Sequence, residues 1–142
     1  MAARSKARKR ALDILYEADI RQLAPADVLL AQDERRASGG EPALNAYVRV
    51  LVTGVQDHRA RIDDLIGTYA TGWSLDRMPA VDRAILRLGA FEVLWSPDVP
   101  EVVAIAEAVA LAQQLSTDQS APFVNGVLGR LAELKPRLDL QG

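Results

Sequence analysis

Cysteine is missing from all 142 residues, and histidine occurs once, as His58. Disulfides and thiolate metal ligands are therefore excluded, and a lone histidine among Gln56, Asp57 and Arg59 has no second metal ligand nearby. His58 reads as a solvated turn residue. No GxxxxGK[ST] or GxGxxG phosphate loop, HExxH pair or GxSxG elbow occurs. Without a thiol or a partnered histidine, the usual nucleophile-and-base constellations are not assembled. Long apolar runs are also lacking, so nothing approaches membrane-spanning length, and the charged N-terminus is not followed by the apolar stretch of a signal peptide. These absences point to a cytoplasmic binding or scaffold protein rather than an enzyme or a membrane protein.

What the chain has is an ordinary globular balance, 49% hydrophobic and 25% charged residues, in a length that suits one domain. The formal net charge of −2 conceals an uneven distribution. Arg4, Lys6, Arg8, Lys9 and Arg10 place five of the 17 basic residues at the extreme N-terminus, leaving 12 basic against 19 acidic residues in the remainder. A cationic arm on an acidic body suits a polyanion or an acidic protein surface. Residues 4–22 contain no Gly or Pro and predict a helix with Ala7, Ala11, Ile14, Leu15 and Ala18 turned inward. Lys6, Lys9 and Arg10 project away from that stripe, Arg4 and Arg8 flank it, and Tyr16 stands on the outer side. Phosphates attract cations and unstacked bases a flat ring, so the pattern suits single-stranded nucleic acid. A tyrosine at the rim of a packed helix meets the same description.

Pro25 opens a second short helix that Ser38-Gly39-Gly40 ends. Beyond Pro42, apolar positions from Leu44 to Val55 and from Ile62 to Tyr69 change phase around residues 56–59, predicting two helices with a bend or one kinked helix. Tyr47 belongs to the first of these apolar sets. Asp63 and Asp64 read as a charged face, since adjacent helical residues point about 100° apart. Trp73–Trp95 is the segment the rest must cover: Val81, Ala84, Ile85, Leu88, Phe91 and Trp95 share a stripe, while Leu86 and Val93 lie off it, which predicts a buried helix. Glu92 within it needs a partner, for which Arg87 or Arg83 is the candidate. Another apolar helix over 101–115 carries Glu107. Ser120 is placed to cap a last helix with Pro122 in its first turn. Gly126 inside that helix costs about 1 kcal/mol relative to alanine, predicting close approach of another backbone. No stretch alternates with the period of a strand. The reading is all-α, with roughly six or seven helices. A carboxylate-only site from Asp82, Glu92 and Glu107 is outweighed by structural ion pairing, and no residue set converges as a catalytic site does.

Three blocks in order, ARSKARKRALDILYEAD, WSLDRMPAVDRAILRLGAFEV, and VPEVVAIAEAVALAQQL followed by SAPFVNGVLGRL, give the chain a resemblance to the bacterial transcription antitermination family NusB. The resemblance implies two small helical bundles packed together in one RNA-binding domain spanning 1–142. Its parts are a basic arm over about 1–10 and helical halves over about 4–71 and about 73–136. It further implies that the chain binds the boxA element of ribosomal RNA leader transcripts as single-stranded RNA. Binding is joint with the small-subunit ribosomal protein NusE, in an RNA polymerase antitermination complex, with no catalysis, cofactor or metal. By position, Arg4, Lys6, Arg8 and Tyr16 fall on the family's RNA side, and Lys9 and Arg10 join them on charge alone. The turn before Phe123 is expected near RNA, and Gln119-Ser120 stands there where the family commonly has Asp-Ser. Asp82 falls at an acidic position expected to face the protein partner. The alternative is a protein-interaction scaffold or homodimer whose arm grips an acidic protein surface.

Overall fold

The computed structural model describes residues 2–140. They form seven α-helices and no strand, as the apolar spacing predicts. The helices are α1 (Ala2–Arg21), α2 (Pro25–Ser38), α3 (Ala46–Asp57), α4 (Arg59–Tyr69), α5 (Ala80–Trp95), α6 (Glu101–Leu115) and α7 (Ser120–Leu134), with a 3-10 turn at Lys135–Arg137. None of the described helices is long and apolar enough to cross a membrane. The chain divides into two compact units, Met1–Asp57 and His58–Gly142. In the second unit α4 packs on α5 and α7, and Ile62, Leu65 and Ile66 are its buried residues.

In the first unit, α1, α2 and α3 each pack against the other two. Ala7, Ala11, Ile14, Leu15 and Ala18 of α1 are buried, as are Val48, Leu51, Val52 and Val55 of α3. Arg8 and Leu12, one turn apart on α1, are buried as well, at 4% and 2% exposure. The end of α1 is set by Gln22 at φ +56°, and the N–H of Leu23 donates to the carbonyl of Ala18 at 2.9 Å, satisfying an orphan carbonyl of the last turn. Pro25 opens α2, whose first free N–H, on Ala26, donates to the Gln56 side chain at 2.8 Å. Thus α3 caps α2 where no local side chain does.

In the second unit α5 is enclosed. Every residue from Ala84 to Leu94 is buried, and α6 and α7 pack on it and on each other. Close approach is made possible by Gly89, not Gly126. A Cβ at Gly89 would lie 2.5 Å from Leu128 Cδ1 and 3.3 Å from Ala108 Cβ, whereas one at Gly126 meets nothing within 4 Å. Gly126 is exposed, so Gly126→Ala is expected to raise stability by up to about 1 kcal/mol. A urea titration showing equal or lower stability would contradict this.

Two side chains depart from expectation here. His58 is half-buried and stacks on Trp95, with ring centroids 4.3 Å apart and 17° between planes, rather than facing solvent. Asp63, read as part of a charged face, accepts from Arg87 Nε at 2.8 Å and Nη2 at 3.1 Å. Glu92 is 1% exposed, in keeping with an acid on the enclosed helix. The indole N–H of Trp95 donates to the Leu140 carbonyl at 3.2 Å, tying the chain beyond α7 back to α5.

Candidate nucleic-acid interface

The residues expected to meet RNA fall on both units: Arg4, Lys6, Arg8, Lys9, Arg10 and Tyr16 on α1, and Gln119 and Phe123 at the start of α7. Because α1 has no breaker and turns its alanines inward, one helical face carries Lys6, Lys9 and Arg10, all exposed. Lys9 lies 3.8 Å from Asp13, with both side chains about half exposed, a pair worth little in water. Lys6 and Arg10 engage no side-chain ion pair or hydrogen bond among the described residues. Tyr16 is 42% exposed, which leaves a ring face available for stacking.

Arg8 differs from its neighbours on this helix: it is 4% exposed, so little of its side chain meets solvent. Its place at the edge of the apolar stripe explains the burial. A residue that sequence patterning assigned to the core, Tyr47, sits instead under the arm. Arg4 Cζ lies 4.3 Å from its ring centroid and Arg8 Cζ 5.8 Å, so cation–π attraction helps fix the start of α1 on α3. A single tyrosine in an apolar run carries no signal of that.

Asp82 is held by hydroxyls. It is 5% exposed, and its carboxylate accepts from the hydroxyl of Ser116 and, at 2.8 Å, from that of Ser120. Ser120 Oγ lies 2.9 Å from Ser116 Oγ and 3.0 Å from Thr117 Oγ1. A buried carboxylate is tolerated because these hydroxyls occupy it. Asp82 therefore pins the turn between α6 and α7 to the start of α5. Ser120, expected to cap α7, is instead its first residue, with its hydroxyl in the same cluster; Gln119 holds the N-cap position and makes no side-chain cap hydrogen bond.

That turn borders a cleft of about 470 Å³ lined by Trp73, Met78, Asp118, Gln119 and Phe123 among others. Trp73 is 47% exposed although it opens the segment expected to be covered: Gly72, at φ +87°, turns the chain there, and α5 begins only at Ala80, so Trp73 is a candidate as a cleft residue and not as core. Two aromatic rings, an amide, hydroxyls and the carboxylates of Asp82 and Asp118 surround this cleft, a set that can stack on an unpaired base and hydrogen-bond its edge. No group of three or more metal-ligating side chains occurs among the described residues.

The NusB family matches the chain over residues 5–133. The transcription antitermination protein NusB of Thermobifida fusca (strain YX) is 56% identical over 138 residues, covering 97% of this chain and 94% of that protein. NusB of T. maritima has a similar structure, with a TM-score of 0.80, 31% identity and coverage of 95% of this chain and 97% of that one. A crystal structure of the antitermination factors NusB and NusE in complex with dsRNA gives a TM-score of 0.79 at 27% identity, covering 94% of this chain and 98% of that one.

Proposed function

Because the chain belongs to the NusB family, we propose that it is a transcription antitermination factor that binds boxA RNA of ribosomal leader transcripts jointly with NusE. It acts as a non-catalytic cytoplasmic adaptor, the whole chain serving as one RNA-binding module that delivers the RNA to an RNA polymerase antitermination complex. The observation that carries this reading is the exposed face of α1, with Lys6, Lys9 and Arg10 in solvent and Tyr16 on the same helix. The cleft beside Gln119 and Phe123 supplies the base-stacking component. Arg4 contributes charge from its place on Tyr47, and Arg8 supports the arm from within. Asp82, being buried, leaves the protein partner to other surface.

The test is a salt titration of binding to a single-stranded boxA RNA, with a scrambled RNA and a boxA duplex beside it, for the wild type and a Lys6→Gln, Lys9→Gln, Arg10→Gln variant. Neutralising one cation that meets a phosphate of a single strand lowers the slope of log K against log salt by about 0.7, so the triple variant is expected to fall by roughly two units. An unchanged slope refutes the reading of the arm, and equal binding of the scrambled RNA refutes boxA recognition.

Gln119→Asp adds a second carboxylate beside Asp118 on the cleft rim. It is expected to weaken boxA binding at low salt by about twofold to tenfold, the cost of one like-charge approach near the surface. Tighter binding by this variant would overturn the placement of RNA at this turn.

A further inference from the structure

A second concave surface lies within the first unit, between α1 and the connection from α2 to α3. It is a cleft of about 410 Å³ whose polar lining is Lys6, Arg10, Arg36 and Asn45, with Ala7, Leu44 and Val48 among the apolar residues, and no acid lines it. Arg36 is held in place. Its Nε donates to the Pro42 carbonyl at 2.8 Å, its Nη1 lies 3.5 Å from Glu41 Oε2, and its side chain is 25% exposed. A guanidinium so anchored loses less rotamer freedom on meeting an anion than a solvent-borne one. Asn45 is oriented in the same way: its side-chain oxygen accepts the Tyr47 N–H at 2.8 Å, so its amide N–H groups are what it can offer a ligand. Lys6 and Arg10 enter the cleft from α1 with no ion pair or hydrogen bond of their own among the described residues. All four polar groups are therefore hydrogen-bond donors and three are cations, the composition that a phosphodiester requires.

We propose that this cleft holds a backbone phosphate of the RNA strand that lies along α1, with Arg36 as a phosphate ligand beside Lys6 and Arg10. The inference rests on the reading of α1 as an RNA surface and extends that surface to α2 and the residues before α3. Glu41, whose side chain is 59% exposed, competes with the phosphate for Arg36 and limits affinity in the free protein.

The experiment measures fluorescence anisotropy of a labelled single-stranded boxA RNA against salt for the wild type, Arg36→Gln, Glu41→Gln, and a Lys6→Gln, Arg10→Gln double variant. Arg36→Gln is expected to lower the salt slope by about 0.7. Glu41→Gln is expected to tighten binding by roughly twofold to fivefold, the release of one exposed ion pair. Arg36→Gln with unchanged affinity and slope overturns the inference. If the Lys6, Arg10 variant loses affinity while Arg36→Gln does not, the arm still binds RNA and only the cleft is refuted; if neither changes, the reading of the arm falls too. Should Arg36→Gln loosen the loop at Pro42 and fail to fold, Glu41→Gln decides alone, and unchanged affinity in that variant overturns the proposal. Inorganic phosphate at constant ionic strength should compete no better than chloride, and selective loss of RNA affinity with phosphate would reassign the cleft to the free anion.

Discussion

Asp63→Ala should destabilise the second unit by about 2–4 kcal/mol, more than any other single surface-proximal charge change in it. The Arg87 side chain is 7% exposed, and Asp63 meets it through Nε at 2.8 Å and Nη2 at 3.1 Å. This two-point geometry matches a planar guanidinium to a planar carboxylate. Arg87 sits on α5, where its neighbours from Leu86 to Leu94 are all buried, so a guanidinium deprived of this carboxylate has little water to turn to. Removing one partner of a buried pair costs about 3–5 kcal/mol when the other charge is left uncompensated, and Arg87 keeps a further interaction besides Asp63, which lowers the cost to about 2–4 kcal/mol. Asp63 itself is 29% exposed, so some water can enter its place, which acts in the same direction. The same carboxylate also accepts from Arg59 Nε at 3.0 Å, but Arg59 is 42% exposed, and Arg59→Ala should cost no more than about 1 kcal/mol. Urea unfolding followed by helical circular dichroism separates the two. If Asp63→Ala and Arg59→Ala prove equally mild, Arg87 does not depend on Asp63.

The pair also marks where sequence reasoning stops. Helix number, the breaks at residues 56–59 and at Gly72, and the enclosure of α5 follow from the period of apolar residues, because burial needs only that a face be apolar. Polar partners do not follow from periodicity. Asp63 and Arg87 are 24 positions apart, and nothing local to either says that α4 will bring them together. Asp82 shows the same limit with a functional consequence: its acid character fits a partner-facing position, yet hydroxyls 34 and 38 residues away occupy its carboxylate. The burial of Arg8 escapes sequence reasoning for a different reason. Its charge matches the arm, while its helical position, beside the stripe that holds Ala11 and Leu12, decides its burial. For Lys6, Lys9, Arg10 and Tyr16 charge or ring and helical position agree, and the exposure that the pattern expects is found. Trp73 and Arg36 are not legible in this way, since each gains its meaning only from the cleft it borders.

Leu128→Ala should cost about 2–5 kcal/mol, as large-to-small changes at fully buried leucines do, and it should reverse the sign of a second substitution. Leu128 is 0% exposed and lies where α7 comes closest to α5, its Cδ1 only 2.5 Å and its Cδ2 3.3 Å from the position of a Cβ at Gly89. In the wild type, Gly89→Ala gains about 1 kcal/mol of helix propensity. It also drives a methyl into a packed side chain that has no solvent to swing into, an overpacking cost of about 1–3 kcal/mol. The net result is destabilising. With Leu128 reduced to alanine both short approaches disappear, leaving only Ala108 Cβ at 3.3 Å, and the added methyl refills part of the cavity. Gly89→Ala should then stabilise, giving a coupling energy within the range of about 0.5–3 kcal/mol found for contacting residues. The cycle bears on function because α7 opens at Ser120 and carries Phe123 into the cleft beside Gln119. Weakening its seat on α5 should lower RNA affinity through that cleft while leaving the cationic slope of α1 intact. A cycle that is additive to within about 0.3–0.5 kcal/mol would mean that α5 and α7 part locally to admit the methyl, and that the cleft at the start of α7 rests on a yielding contact rather than a fixed one.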